Sequence, residues 1–511
     1  MRCARMDWLA WLIVIAACGA ARAETPAGYL RKLPKPAFAK GHTLPPLTRY
    51  GWTLPFDARV ELAKNWGYCL EFGGYVTEKS AARLDDPNSI ESRLVRLAAA
   101  EPQTYRLSVI CSRRLPSAEA PPETWARDAN GHLLNGKAES MDGTEWHKGM
   151  RTVYSPAAPD SVWRLAGTYR ADPLREVRRR CPIAIVLNGG EYGIGVLGFA
   201  QKVWEKDPRI LKDKGDMPWY EYVSRRKARA ETLIAEAVKK VAHDRLLYIY
   251  YTTTGGTHRN RSGGWQKWMY GFQWMKPVSD LASSEHYYRH FNSGWTGKDD
   301  LLIQALNARG FEIAHGRPLC YDWLCAGWPR EKGLGSPEPL ADGGLGDLTR
   351  YEGFLKCLYT AGMVGGNAGY YAYPKGGFQA EFPADEPPHW LRQMVVFSRV
   401  HAVFSHLEGY LRNGDLLPGP ARHRFSTDQP AYELPTGHAD TRVLARRMKN
   451  APKWLLTAWA ADGRERRVTV PVPGLGKVTL LARPNATVYR AALANGPPQL
   501  EEASRMGSDL D

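Results

Sequence analysis

The chain runs to 511 residues, too long for one small domain and about right for a large barrel carrying a smaller module. Its 69 Lys and Arg outnumber 53 Asp and Glu, for a formal charge of +16. That excess fits an acidic substrate, an anionic surface or simply an Arg-rich exterior; with no zinc-finger spacing and no basic helix interleaved with aromatics, it argues against nucleic acid as a partner.

Residues 1–23 read as an export leader. Arg2 and Arg5 form a basic start, Trp8 to Ala17 an apolar core too short to span a bilayer, and Ala21-Arg22-Ala23 a small-residue cleavage site before Glu24. The expectation is a secreted or periplasmic mature chain. Ile15-Ala16-Ala17-Cys18 also resembles a permissive lipobox, so a lipoprotein tethered to the outer membrane through Cys18 is the alternative.

From Leu44 onward, apolar strand-like runs alternate with helix-period segments, the pattern of βα units around a parallel sheet. Thr48 to Leu54 is a first strand, Phe56 to Trp66 a helix, Tyr68 to Phe72 a second strand and Ile90 to Ala100 a helix. Tyr105 to Cys111 is a third strand. A long excursion from Ser112 to Asp160 follows, holding Trp125 and Trp146, and then a helix from Ser161 to Arg180. Pro182 to Asn188 is an unbroken apolar run of strand length closed by Asn-Gly-Gly, as expected of a strand buried on both faces. Gly189 and Gly190 let the backbone turn and leave room for a ligand, and Glu191 and Tyr192 come next.

Gly193 to Met217 reads as a loop, Pro218 to His243 as a helix and Leu246 to Tyr251 as strand five. Thr252 to Val278 has no helical period and is rich in Gly and aromatics, so the fifth helix is expected to be replaced by a loop. Ser279 to Ser283 is strand six, ending in Ser284-Glu285-His286-Tyr287-Tyr288. Asp299 to Arg309 is its helix, Phe311 to His315 strand seven, Leu348 to Ala361 a helix, Met363 to Tyr371 strand eight and Trp390 to Leu411 the closing helix. Eight strands in alternation predict a (β/α)8 TIM barrel with long βα loops over 24–413. No Gly-x-Gly-x-x-Gly follows the first strand, which disfavours a doubly wound sheet. Short strands between Pro, Gly and Asn turns predict a small C-terminal antiparallel β-sandwich over 414–492, one strand of it at Tyr432 to Leu434. The polar residues 493–511 are expected to form a disordered tail.

Chemistry in a barrel sits at the carboxyl ends of the strands. The acids expected there are Glu71 after strand two, Glu191 after strand four, Glu285 after strand six and Asp322 beyond strand seven; Glu312 falls at the start of strand seven and is set aside. Cleavage of a glycosidic bond needs one protonated carboxyl group and one ionised. Glu191 is expected to be the general acid/base and Glu285 the nucleophile or base, with Asp322 the competitor for that second place. Strands four and six are both even-numbered, so equivalent positions share layers and can face one another. Asn188, Tyr192, His286, Tyr287, Trp323, Trp295, Tyr371 and Glu71 are expected to contact substrate, aromatic rings stacking on pyranose faces. An acid placed like Glu71 is more often a buried partner for a basic group.

Cys320 and Cys325 are the best disulfide candidates, while the remaining cysteines of the mature chain read as small buried hydrophobes. No metal site is expected, because His286, His290 and His315 lack a recognised ligand spacing, and no cofactor motif is present. The glycine-rich Gly365-Gly366-Asn367-Ala368-Gly369 ends strand eight and offers at most a weak anion cradle.

In this order of elements the chain resembles the exported clan-A (β/α)8 glycoside hydrolases, such as the β-galactosidase and β-agarase families with a C-terminal β-sandwich. The resemblance implies a polysaccharide-active hydrolase with Glu191 as acid/base. That clan sets its acid/base Glu directly after an Asn at the end of strand four and its nucleophile Glu at the end of strand seven. Here two glycines separate Asn188 from Glu191 and strand seven ends without Glu, which leaves the clan, the second carboxylate and the stereochemical outcome open. The expected function is hydrolysis of an oligo- or polysaccharide, an acidic or sulfated polymer among the candidates. A non-catalytic carbohydrate-binding barrel and a polysaccharide lyase are the alternatives.

Overall fold

The computed structural model describes residues 23–50, 54–111, 115, 119–137, 150–188, 201–242, 246–250, 252, 272–287, 300–325, 348–369, 381–384, 387–422, 429–493 and 496–503. Eight parallel strands dominate the larger part: β1 (Thr48–Tyr50), β2 (Leu70–Tyr75), β3 (Leu107–Ile110), β4 (Ile183–Asn188), β5 (Leu247–Tyr250), β6 (Glu285–Tyr287), β7 (Cys320–Cys325) and β8 (Met363–Gly369). Each is followed by a helix: α1 (Phe56–Asn65), α2 (Ile90–Ala100), α3 (Asp160–Arg180), α4 (Trp219–Ala242), the single turn α5 (Phe272–Met275), α6 (Asp300–Ala314), α7 (Leu348–Ala361) and α8 (His389–Ser405).

The strands form two four-stranded parallel sheets, in the orders β2-β3-β4-β5 and β6-β7-β8-β1. The sheets abut at both seams. Between β1 and β2, a single parallel bridge joins Leu47 to Tyr68, with Leu47 N donating to Gly67 O at 2.9 Å and Cys69 N to Leu47 O at 2.7 Å. Between β5 and β6 the joints run partly through side chains: Thr252 N to Ser283 O at 3.0 Å, Tyr248 N to the Asp280 carboxylate at 2.8 Å and Tyr250 N to Ser279 Oγ at 3.1 Å. Neither seam is a ladder, so the expected ring is not closed by continuous pairing.

Several expected elements are corrected. Strand six is Glu285–Tyr287 rather than Ser279 to Ser283, and the helical turn α5 stands within the expected Thr252 to Val278 loop. Phe311 to His315 is not strand seven: α6 continues to Ala314 and the strand is Cys320–Cys325. A five-residue run such as Phe311 to His315 is short enough to suit either structure, and here Arg309 and Glu312, three apart and both buried, pair along the helix. Glu312 is therefore a helix residue, not one at the start of a strand. The Gly193 to Met217 loop contains two short helices, Gln201–Trp204 and Pro208–Lys214, the second capped by Asp207 accepting from Arg209 N at 2.9 Å. They pack with the excursion before α3, where Trp204 Nε1 donates to Tyr154 O at 3.0 Å and the Trp125 and Tyr154 rings lie 4.7 Å apart.

The expected Cys320–Cys325 disulfide is absent too. Cys320 is a free buried thiol, and two residues five apart on one strand lie on opposite faces about 17 Å from each other, beyond any disulfide's reach. Cys69, Cys111, Cys181 and Cys357 are likewise free and buried. No helix among the described residues is long and apolar enough to cross a membrane.

The C-terminal part holds a five-stranded antiparallel sheet of β9 (Gly414–Leu416), β10 (Thr441–Met448), β11 (Lys453–Ala460), β14 (Thr487–Ala492) and β15 (Gln499–Glu502), facing the hairpin β12 (Arg466–Val472) and β13 (Gly476–Ala482). This arrangement fits a sandwich. Tyr432 to Leu434 is not a strand, although Leu434 N reaches Val443 O at 2.8 Å. The expected tail is ordered in part: residues 499–502 pair with β14 as an edge strand. Side chains alternate across a strand. Val443, Ala445 and Leu456 accordingly join the core shared with the hairpin, whereas Leu444, Leu455 and Trp459 join the core around α7 and α8.

The domains are locked at α7. Arg446, 1 % exposed, donates to Thr360 O at 3.2 Å, Leu411 O at 2.9 Å and Tyr410 O at 3.2 Å. Lys356 Nζ reaches Ala486 O at 3.1 Å. Gly353 leaves the space for Trp459, since a β-carbon there would overlap the indole and stand 2.7 Å from Pro484 O. Replacing Gly353 with Val is expected to cost about 1–3 kcal/mol through overpacking, read as a lowered urea midpoint; an unchanged midpoint would show that the interface yields.

Candidate active site

The corner where β6 meets β7 is built on a buried charge network. Asp322, fully buried, accepts from Ser284 N at 3.0 Å, Arg309 NH2 at 3.1 Å and the Cys320 thiol at 3.0 Å. His286 Nε2 lies 3.7 Å from the same carboxylate. Burial disfavours the Arg309 charge, but the surrounding Cys320, Glu312 and Asp322 outweigh it and raise its pKa. Burial pushes the Cys320 thiol well up, with Arg309 opposing that shift and Asp322 adding to it.

Strand phase decides what this network can do. Cys320, Asp322 and Leu324 share one face of β7, and Leu324 packs in the core with α7 and α8. Tyr321 and Trp323 take the other face; the Tyr321 hydroxyl lies 2.9 Å from both Thr48 Oγ1 and Pro46 O. Asp322, expected as a catalytic competitor, thus sits on the helix side and braces the start of β6. It was expected in a loop only because strand seven was placed a helix too early. Trp323, expected to stack on sugar, is wholly buried among sheet residues, and His286 belongs to the Asp322 network. In register, Trp323 pairs with Glu285, Leu324 with His286 and Cys325 with Tyr287.

At the other seam Glu71 forms a buried ion pair with Arg49, and Arg59 donates to the Glu71 carbonyl at 3.1 Å. Of the two readings of Glu71, the buried partner for a base is the one realised, not a substrate contact. Burial first, and Arg59 second, depress the Arg49 pKa. Across β1 and β8, Thr48 Oγ1 donates to Asn367 Oδ1 at 3.1 Å. Gly365 and Gly366 are part of β8 itself, pressed against the Tyr321 ring and Asp322 O at 2.8 Å from where a β-carbon would stand. They are packing glycines rather than an anion cradle.

Asn188, the last residue of β4, is 1 % exposed and donates through Nδ2 to the Tyr248 hydroxyl at 2.7 Å. Lys239 and Lys227 of α4 stand over the Tyr248 and Tyr250 rings, so Asn188 belongs to the layer between the strands and α4 and not to an open sugar site. Behind it Glu231 takes Lys227 at 2.8 Å and Arg170 at 3.5 Å. Burial lowers the Lys227 pKa against the pull of Glu231, and raises that of Tyr248.

Glu191, Tyr192, Trp295 and Tyr371 lie outside the described residues, and Glu285 and Tyr287 are placed by their backbone alone. His315 follows α6, its Nδ1 2.7 Å from Phe311 O. No group of three His, Cys, Asp or Glu among the described residues could hold a metal ion. Sequence reasoning missed Arg309, Arg49 and the Arg170–Lys227–Glu231 cluster. The spacings of Arg309 with Glu312 and Lys227 with Glu231 on helices were the available signal. Replacing Arg309 with Met leaves Glu312 and Asp322 buried without their cation and is expected to cost about 3–5 kcal/mol; a denaturant midpoint matching the parent would refute the dependence.

No family profile matches the chain, and no curated protein does. Its structural neighbours are glycoside hydrolases. A maltogenic α-amylase, AmyB, from Thermotoga neapolitana aligns over 94 % of this chain and 95 % of its own, at 9 % identity and a TM-score of 0.38. The family 36 α-galactosidase AgaA from Geobacillus stearothermophilus, solved with raffinose, aligns over 93 % of this chain and 58 % of its own, at 9 % identity and a TM-score of 0.40. An α-L-fucosidase from Paenibacillus thiaminolyticus aligns over 76 % and 52 %, at 12 % identity and a TM-score of 0.38.

Proposed function

We propose that the chain is an exported glycoside hydrolase, cleaving an oligo- or polysaccharide with two carboxyl groups at the mouth of a (β/α)8 ring. The observation that carries this reading is the strand order: eight parallel strands, each followed by a helix, in two sheets that abut at both seams. Catalytic groups of such a ring come from the carboxyl ends of its strands. Glu191 follows the last residue of β4 by three positions, and Glu285 is the first of the three residues of β6, two before its carboxyl end at Tyr287.

In this reading Glu191 donates the proton to the leaving oxygen, and Glu285 serves as nucleophile or as base for water. Asp322 acts through Glu285 as a positioning residue, fixing the Ser284 peptide and with it the register of β6. An acidic or sulfated polymer suits the basic chain.

Glu191→Gln and Glu285→Gln are each expected to lower kcat about 10²–10⁴-fold on the polysaccharide that the parent degrades. Asp322→Asn, whose amide oxygen still accepts from Ser284 N, is expected to lose less. Near-normal turnover by Glu191→Gln would remove the assignment, and unsaturated products absorbing in the ultraviolet would establish a lyase instead. The exported chain is expected to begin at Glu24 on N-terminal sequencing; a lipid-modified Cys18 as first residue would replace free export by a membrane tether.

A further inference from the structure

We propose that the cavity between the C-terminal sandwich and α6 is a second carbohydrate site, taking one hexuronic acid unit. The cavity measures about 290 Å³, at the small end of ligand pockets and enough for a single pyranose ring rather than a chain. It lies where two domains meet, a place where ligand sites recur.

The charge of its lining selects the ligand. The lining holds two guanidinium groups, Arg422 and Arg442, one carboxylate, Glu433, and His438. A ligand carrying one negative charge brings these groups to balance, and a neutral sugar does not. Arg442 gives one guanidinium nitrogen to Ala439 O. Both Arg422 and Arg442 line the cavity, and an Arg fork is shaped to receive a carboxylate. Glu433 and Thr436 are then available to the sugar hydroxyls, and Ile303, Leu434 and Pro435 offer apolar surface to the ring C–H groups.

Position adds a consequence that rests on the proposed function. Ile303 is in the first turn of α6, which follows β6. The first turn of a helix in a βα unit lies at the carboxyl end of the strand before it, so the cavity is at the end of the ring where the cleft is proposed. A polymer bearing uronic acids could occupy both.

The test uses the full chain and titrates it with glucuronate, with glucose and acetate as controls, following heat of binding and amide exchange. Glucuronate is expected to protect residues 431–442, and Arg442→Met to weaken its binding at least tenfold. Arg422→Met, in an exposed loop, is expected to do the same and serves if the first variant fails to fold. Equal binding of glucose, absence of protection at 431–442, or unchanged affinity in both variants would overturn the proposal. None of these outcomes depends on Glu191 or Glu285, so loss of activity in those variants leaves it standing.

Discussion

A carboxylate taken fully out of water must be met by a cation and by hydrogen-bond donors, or its burial is prohibitively costly. Asp322 meets that demand with Arg309, the Ser284 amide and the Cys320 thiol, and much of the molecule follows from it. Strand β6 has three residues, and among the described residues its one ladder partner is β7. Three residues of parallel ladder hold a register weakly, and a slip of one would exchange the faces of Glu285 and His286. The bond from Ser284 N to Asp322 sets the residue before β6 and removes that freedom.

The same logic recurs behind the other strands. Glu71 with Arg49 of β1, and Glu231 with Lys227 of its own helix and Arg170 of α3, give a buried carboxylate a cation from a neighbouring element. Attraction within such groups is largely offset by desolvation, so their net stabilisation is small. What they supply is a penalty for wrong neighbours. Parallel strands such as Ile183–Asn188 and Met363–Gly369 are apolar on both faces, and the hydrophobic effect alone distinguishes them poorly. A helix carrying Glu231 fits behind β5 and is punished elsewhere.

The alternation of elements was legible because buried parallel strands and amphipathic helices leave long, regular patterns: β4, α3, α4 and α7 lie within a residue or two of their expected limits. Strand seven was misplaced because Phe311-Glu312-Ile313-Ala314-His315 is too short a run to carry a period that separates strand from helix. The buried partners of Glu71 and Asp322 were illegible for a different reason. Charge pairing between elements far apart in sequence leaves no local trace, and an acid near a strand end looks the same whether it meets a sugar or an arginine. The edge strand at 499–502 was lost in a polar tail since an exposed edge needs no apolar residues, and its burial is slight.

The two-faced sheet of the sandwich explains how this accessory part can matter to the ring. Its inner strands bury one row of side chains in their own core and the next row against α7 and α8, so the sheet replaces solvent on the outer side of those helices. Arg446 carries the joint, reaching carbonyls on α7 and on Glu408–Asn413, the helix after α8, from a strand of the other domain. Burial lowers its pKa to about 10, still far above neutrality, so the charge persists and each bond is charge-assisted. A helix fixed on both sides cannot slide, and α7 leads directly into β8, whose glycines press on β7. Through that contact the sandwich bears on Tyr321 and Asp322, the residues that set the β6–β7 corner.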